Sequence, residues 1–339
     1  MLLFCSTRPA GLRQGRNSRG CLGGFTVFAA VLGATGGFVA IMARELLFLD
    51  QAQLRIAHHN PMLLSKLDKS LNILEVKHHQ GVSRLVNCRT FAPLKVFNPR
   101  VSASTCALYL SHFGGGMVDG DDVHLKIRCR RDSSVSIGSF GNLQVYASAT
   151  GGSFQVIEGE VLDGALVVVL PDPVVLHAGS RFRQRQEWNL TRGSSLLVAE
   201  CMVAGRLHAG ERFAFDTYDH EFSVLVDGTP LLFDRFVCRP AEQDFSDPAL
   251  LGGGACVLTV YMVGPRWEPL KRFVESEGFY NGKADHNGLL LSMHPVQEHG
   301  YVIRAVANDG AGVRAVMESL RRSLAQDSYL GFDPGARKY

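Results

Sequence analysis

No Cys-x-x-Cys pair occurs anywhere in the chain, although it contains eight cysteines. A zinc ribbon or a thioredoxin-type redox site needs two thiolates close together on a tight turn, and this spacing supplies none. Cys201 and Cys256 lie instead in the apolar runs Leu196–Val203 and Ala255–Val263. They read as reduced core residues, as in a reducing compartment. A Gly-x-x-x-x-Gly-Lys-Ser/Thr loop is also missing, so there is no nucleotide cradle of that type. Gly138-Ser139-Phe140-Gly141 lacks the spacing of a nucleophile elbow. Gly114-Gly115-Gly116 lacks the helix pattern that a dinucleotide fingerprint needs after it.

Charge of one sign is missing too. The net charge of +3 comes from the first 43 residues, where Arg8, Arg13, Arg16 and Arg19 stand without a single acid. Their +4 leaves the remainder at −1, so the body offers no bulk attraction to nucleic acid. Arg181, Arg183 and Arg185, and likewise Arg128, Arg130 and Arg131, read as solvated strand faces.

Residues 1–44 form an extension separate from the domain expected over 45–339. Cys21 to Ala43 is an uncharged run long enough to cross a bilayer, but it carries five glycines that weaken it as a helix. Three readings stand for it: a membrane anchor, a cleaved organellar or secretory address, or upstream sequence ahead of a true start at Met42. A removable leader or a false start is the reading adopted, with membrane attachment only if residues 1–43 are retained.

What is present is strand. With 46% hydrophobic and 20% charged residues in 339, the chain can build a substantial core. Val123, Leu125 and Ile127 alternate with Asp122, His124, Lys126 and Arg128. Phe213–Phe215, Phe222–Val224–Val226 and Leu232–Arg235 repeat the pattern. Ala165–Leu170, Leu196–Ala199 and Val257–Val263 are wholly apolar, as strands buried on both faces are. Turn signals separate them, and Val226-Asp227-Gly228-Thr229 predicts a hairpin. The fold class is therefore all-β: a sandwich, a barrel or stacked short strands, with no repeat of fixed period. Two helices are expected. One is short, over Asn60–Leu67; the other is C-terminal, capped by Asn308 or Asp309, with Val313, Val316, Met317, Leu320 and Leu324 on one face. Beyond Ser328 there is no periodicity, and a loose tail is expected.

Candidate metal ligands are scattered. The adjacent pairs His58-His59 and His78-His79 would point to opposite faces of a strand and cannot share an ion there. Asp119, Asp121 and Asp122 follow the glycine turn; carboxylates there are expected to accept backbone N–H bonds before they bind a hard cation. Without an evident active site, a binding or scaffolding role is favoured over catalysis.

An ordered series of motifs carries a resemblance. Pro93-Leu94-Lys95-Val96-Phe97-Asn98-Pro99 and Ala107-Leu108-Tyr109-Leu110-Ser111-His112 come first. Gly115-Gly116-Met117-Val118-Asp119-Gly120-Asp121 is similar to the Gly-Gly-x-Val-x-Gly-Asp signature of the UreD/UreH family of urease accessory proteins. Leu170-Pro171-Asp172-Pro173 resembles that family's Leu-Pro-x-Pro segment, and Gly205-Arg206 with Ala209-Gly210-Glu211 its Gly-Arg and Ser/Ala-Gly-Glu motif. Asp227–Arg235 resembles its Asp-Gly-x-Pro-Leu hairpin, and Tyr301–Ala307 with the last helix closes the series; the resemblance is strongest over 72–326. Asp119 stands where the family usually has a second glycine, and Gln144 where it has a lysine.

The resemblance implies a β-helix-like fold of stacked short strands with a C-terminal helix. It implies a non-enzymatic, cytoplasmic scaffold that joins UreF and the GTPase UreG on apo-urease. Nickel would cross it in transit through an interior channel, with no cofactor held permanently. Three carboxylates are channel candidates: Glu200, inside an apolar run where an unpaired charge is costly, and Asp121 and Glu211 at matched motif positions. For Glu200 an edge-strand position facing solvent, or a pair with Arg206, stands as the structural alternative. Gly115, Gly116, Gly120, Pro171, Pro173, Gly205, Arg206 and Gly210 are expected to shape the backbone. A diverged β-rich hydrolase and a membrane-attached binding module are the competing readings.

Overall fold

Period-two alternation fixes which side of a strand meets the core, and in the computed structural model it does so for most of the chain. The structure describes residues 71–245, 247–270, 289–296 and 300–335. The N-terminal extension, the expected helix at Asn60–Leu67 and the pair His58-His59 lie outside the described residues. The strands, in order, are β1 (Leu71–His79), β2 (Val82–Arg89), β3 (Leu94–Phe97), β4 (Cys106–His112), β5 (Gly116–Met117) and β6 (Asp122–Cys129). Next come β7 (Ser134–Ser139), β8 (Leu143–Val145), β9 (Ser153–Val161), β10 (Leu166–Leu170), β11 (Val174–Leu176) and β12 (Arg181–Leu190). The last are β13 (Ser195–Val203), β14 (Thr217–Val226), β15 (Thr229–Cys238), β16 (Cys256–Val263), β17 (Leu290–Val296) and β18 (Gly300–Ala307). Helix α1 (Pro248–Leu251) is a single turn, and α2 (Gly310–Leu324) is the long C-terminal helix.

The strands stack as coils. One wall is a 7-stranded sheet in the order β15-β14-β12-β9-β6-β1-β2. The other belongs to an 11-stranded sheet running β17-β18-β16-β13-β10-β7-β4-β3, with β5, β8 and β11 forming a short third row beside it. The chain passes from wall to wall, so β6, β9, β12 and β14 lie parallel on one and β4, β7, β10 and β13 parallel on the other. Antiparallel hairpins close the first wall, β1–β2 at one end and β14–β15 at the other. At the second hairpin Asp227 and Gly228 both have positive φ, as the two central residues of the tight turn require. The fold is thus the stacked-strand, β-helix-like one. No fixed repeat shows in the sequence because the step between coils varies: Cys106 lies beside Val135, Ser134 beside Leu166, and Arg181 beside Thr217.

Two hydrophobic cores result. The first fills the space between the walls and includes Leu125, Ile127, Val167, Trp188, Leu196, Val198 and Phe222. The second lies on the outer face of the larger sheet, where Leu197, Ala199, Cys201, Leu258, Val260 and Trp267 meet Val313, Val316 and Leu320 of α2. Strand β13 serves both, which is why Ser195–Met202 is buried without a break. Where a neighbour needs room, the sequence supplies glycine: a Cβ on Gly159 would stand 1.9 Å from the Trp188 ring, and one on Gly116 2.1 Å from the Gln144 carbonyl.

Two expectations need correction. The tail beyond Ser328 is docked: Tyr329 stacks on Trp267 with ring centroids 5.7 Å apart, Leu330 is buried, and Tyr109 donates its hydroxyl to the Pro334 carbonyl at 2.9 Å. This packing uses irregular backbone and therefore carries no periodic signal. Phe213–Phe215 is a loop, with Phe213 at φ 52° stacked on Phe245, because the aromatic rings anchor a turn there.

Candidate functional site

The site begins on β12, whose two faces have opposite chemistry. Outward, Arg181 pairs with Asp216, Arg183 with Asp219, and Arg185 with Glu187 and Glu221. Inward, Phe182, Gln184, Gln186 and Trp188 are buried. Two glutamines thus project into an apolar interior, where an amide must find partners or lose its hydration. Gln184 donates to the Gln155 amide oxygen at 3.2 Å, and Trp188 donates its indole N–H to Gln186 at 3.1 Å. Gln186 in turn donates to the carboxylate of Glu200, which reaches in from the opposite wall.

Glu200 sits on β13 with 7% of its surface exposed. Strand parity puts it beside Val198 and Met202, facing the space between the walls. Burial pushes its carboxyl up to about 7, against the opposing hydrogen bonds from Gln186 and Gln184. It is neither on an edge strand nor paired with Arg206, so the alternative placement fails. Beside it the neighbouring strand breaks: β13 pairs with β10 up to Val169–Val198 and resumes with β11 at Val174–Met202. Pro171 and Pro173 occupy that break, with Ser139 and Asp172 bonding each other across it at 2.9 and 2.7 Å. Proline donates no N–H, which suits a place where the ladder is interrupted.

The polar groups continue along the interior. His220 on β14 lies beside Gln184 in the strand register, its ring parallel to that of Tyr218. Burial lowers its imidazole to about 4, so it is neutral. His220 Nε2, Gln184 Oε1 and Ser153 Oγ are buried without a hydrogen-bond partner. Buried polar atoms are nearly always satisfied, so His220 and Gln184, neighbours in the register, and Ser153, one step along beside Phe182, leave hydrogen-bonding capacity unmet in this part of the interior. Further along, Asp234 of β15 accepts from the Tyr261 hydroxyl at 2.6 Å and from Arg304 of β18 at 2.7 Å, tying the two walls together.

The other sequence candidates lie elsewhere. Asp121 accepts from the Val118 N–H at 2.8 Å in the turn that holds Gly120, just after Gly115 and the β5 residue Gly116. Glu211 is held by the Arg206 guanidinium, whose Nε lies 2.9 Å away, and that contact draws its carboxyl down to about 2. Gly205 and Gly210 flank this corner on either side of the short helix Leu207–Ala209. Neither Asp121 nor Glu211 joins Glu200. Asp119, the residue in the place of a glycine, accepts from Gly152 N at 2.6 Å, Thr150 N at 2.8 Å, Thr150 Oγ1 at 2.7 Å and Ala149 N at 3.1 Å. Gln144 meets His177 Nε2 at 2.7 Å. His78 and His79 are exposed at the end of β1.

Gln155, Gln184, Gln186, His220, Asp234 and Arg304 were not singled out in the sequence. A signal for two of them was there: if the arginines of Arg181–Leu190 face out, the glutamines between them face in. Among the described residues no group of three or more His, Cys, Asp or Glu side chains converges as a metal cage. Among the same residues no helix is long and apolar enough to cross a membrane.

The profile of one protein family, UreD urease accessory protein, matches residues 70–336. The urease accessory protein UreD of Cytophaga hutchinsonii is 31% identical over 278 residues, covering 79% of this chain and 97% of its own length. That of an Anaeromyxobacter species is 30% identical over 265 residues, 78% of this chain and 88% of its own. Urease accessory protein D of Oryza sativa subsp. indica is 26% identical over 209 residues, 60% and 68% respectively.

Proposed function

The chain belongs to the UreD family of urease accessory proteins, and from that premise we propose that it is a non-catalytic scaffold and conduit in urease maturation. It joins UreF-like and UreG-like proteins on apo-urease in the cytoplasm, and nickel is its cargo, passed through and not kept. The observation that carries this reading is the interior row around Glu200. A carboxylate, a neutral imidazole nitrogen and an amide oxygen are the donor types that a borderline divalent cation accepts. They are few, and they do not close into a cage. Transit needs such a set, attractive enough to admit the ion and weak enough to release it. Asp121 and Glu211, engaged in a turn and an ion pair, have structural tasks in this account, and the chemistry of urea hydrolysis stays with urease.

The test is Glu200→Gln, which keeps the hydrogen-bonding shape and removes the charge. The complex with urease and its accessory partners should assemble as before, while urease matured through it should contain less nickel and show correspondingly less activity. Full nickel loading by that variant would remove Glu200, and with it the row, from the pathway.

A further inference from the structure

We propose that Gln186 is the positioning residue of Glu200: with its amide locked by Trp188, it holds Oε1 of the carboxyl as a hydrogen-bond acceptor and leaves Oε2 as the oxygen that meets a cation. This rests on the reading of the interior row as a nickel path. Gln186 and Trp188 stand two residues apart on the inward face of β12, and both are fully buried. The indole N–H of Trp188 can only donate, and it lies 3.1 Å from Gln186 Oε1. The two ends of an amide are alike in shape, but only the carbonyl end accepts, so this contact fixes which way the amide lies. Its NH2 end is therefore turned to Glu200 Oε1, on the opposite wall. That end can only donate. The Glu200 oxygen it meets must accept in both protonation states, as half of the ionised carboxylate or as the carbonyl of the neutral acid. The proton of the neutral acid then belongs on Oε2, and Oε2 is the oxygen it leaves when a cation takes its place.

The lock is itself seated. The Trp188 ring lies over Gly159 of β9, its neighbour in the strand register, so close that a Cβ there would stand 1.9 Å from it. Gln184, the preceding inward residue of β12, is the contrast. It donates to Gln155 at 3.2 Å and to the Glu200 carboxylate, but nothing donates to its Oε1, so neither end of its amide is fixed. Gln184 can yield to an arriving cation; Gln186, spent on Trp188 at one end and Glu200 at the other, cannot. A core has no need of such a chain, because apolar side chains of the same shape would serve it as well. A carboxylate that must present one oxygen in one direction does need it, as the ligands of metal sites need the outer partners that orient them.

The experiment uses the full chain with isotope-labelled glutamate carboxyls, and infrared difference spectra against Glu200→Gln isolate the one carboxyl. At mildly acid pH, where Glu200 is protonated, its carbonyl stretch should lie low, as that of a hydrogen-bonded carbonyl does. Gln186→Leu should move it to higher frequency; a side chain that merely packs would leave it in place. Trp188→Phe keeps Gln186 but removes the lock, so the amide presents either end and the band should split in two. That variant carries the test if Gln186→Leu does not fold. With Ni2+ alone added above neutral pH, the antisymmetric and symmetric carboxylate stretches of the parent should move apart, the pattern of binding through one oxygen, and Gln186→Leu should lose that pattern. In the complex with urease and the accessory partners, Gln186→Leu should load nickel about tenfold more slowly. An unmoved carbonyl band in Gln186→Leu, a parent-like band in Trp188→Phe, or a two-oxygen Ni2+ pattern in the parent would overturn the positioning while Glu200→Gln still blocked nickel loading. Unimpaired loading by Glu200→Gln would instead sink the conduit itself, and with it the cation's part in this inference.

Discussion

At the scale of single residues, Glu200 has a consequence for stability that is independent of nickel. Its folded-state carboxyl titrates at about 7, raised from 4.5 mainly by burial. The folded protein therefore holds a proton that the unfolded chain gives up between those two values, and stability falls as pH rises through that window. Below the lower value both states are protonated and the cost vanishes; above the upper value it is complete, on the order of 3 kcal/mol. Glu200→Gln is neutral throughout. Urea denaturation should find it more stable than the parent above neutral pH, with the gap closing towards acid; an equal gap at both ends would refute the shift. That this residue faces inward was not legible in the sequence. Apolar neighbours on both sides hide strand parity, since Leu197, Ala199 and Cys201 are as buried as Leu196, Val198 and Met202. Only the second core beneath α2 explains why both sets are apolar. Asp121 and Glu211 illustrate the converse: a position within a motif marks a residue as needed, but does not say whether backbone or cargo needs it.

At the scale of elements, alternation was the legible part, because it is local. β6 and β12 show their two faces directly, and Asp309 caps α2 by accepting from Ala311 N at 2.8 Å, one of the two caps expected. Pairing between coils is not local. The register that puts Gly159 beside Trp188 joins β9 to β12 and leaves no trace in either segment read alone. It makes a sharp prediction. Gly159→Ala places a methyl where the indole of the neighbouring strand in the same wall already stands, and should cost about 1–3 kcal/mol, as overpacking does. Restoring room with the additional change Trp188→Phe should recover part of the loss. A Gly159→Ala protein with the parent's denaturation midpoint would mean that the two strands do not share this register. The docked tail was illegible for a related reason: Tyr329 and Leu330 are held by Trp267 and its surroundings, which lie far away in the chain.

At the scale of the whole molecule, the question is whether two cores make two folding units. Each contains one of the two tryptophans, Trp188 between the walls and Trp267 beneath α2. Coils that touch only their neighbours can unfold in stages, as solenoids do when their interfaces are unequal. Here β13 argues against stages, because it contributes alternate residues to both cores, and neither can lose it without exposing the other. Asp234 and Arg304 tie the far ends of the two walls in the same sense. Trp267→Phe leaves fluorescence that reports the first core alone, and Trp188→Phe the second. In urea the two single-tryptophan proteins should unfold with midpoints that agree once each is corrected against circular dichroism of the same variant, as one cooperative transition demands. If the Trp267 signal changes well before the Trp188 signal, α2 and the tail form a separate layer. The core between the walls would then have to hold together without them.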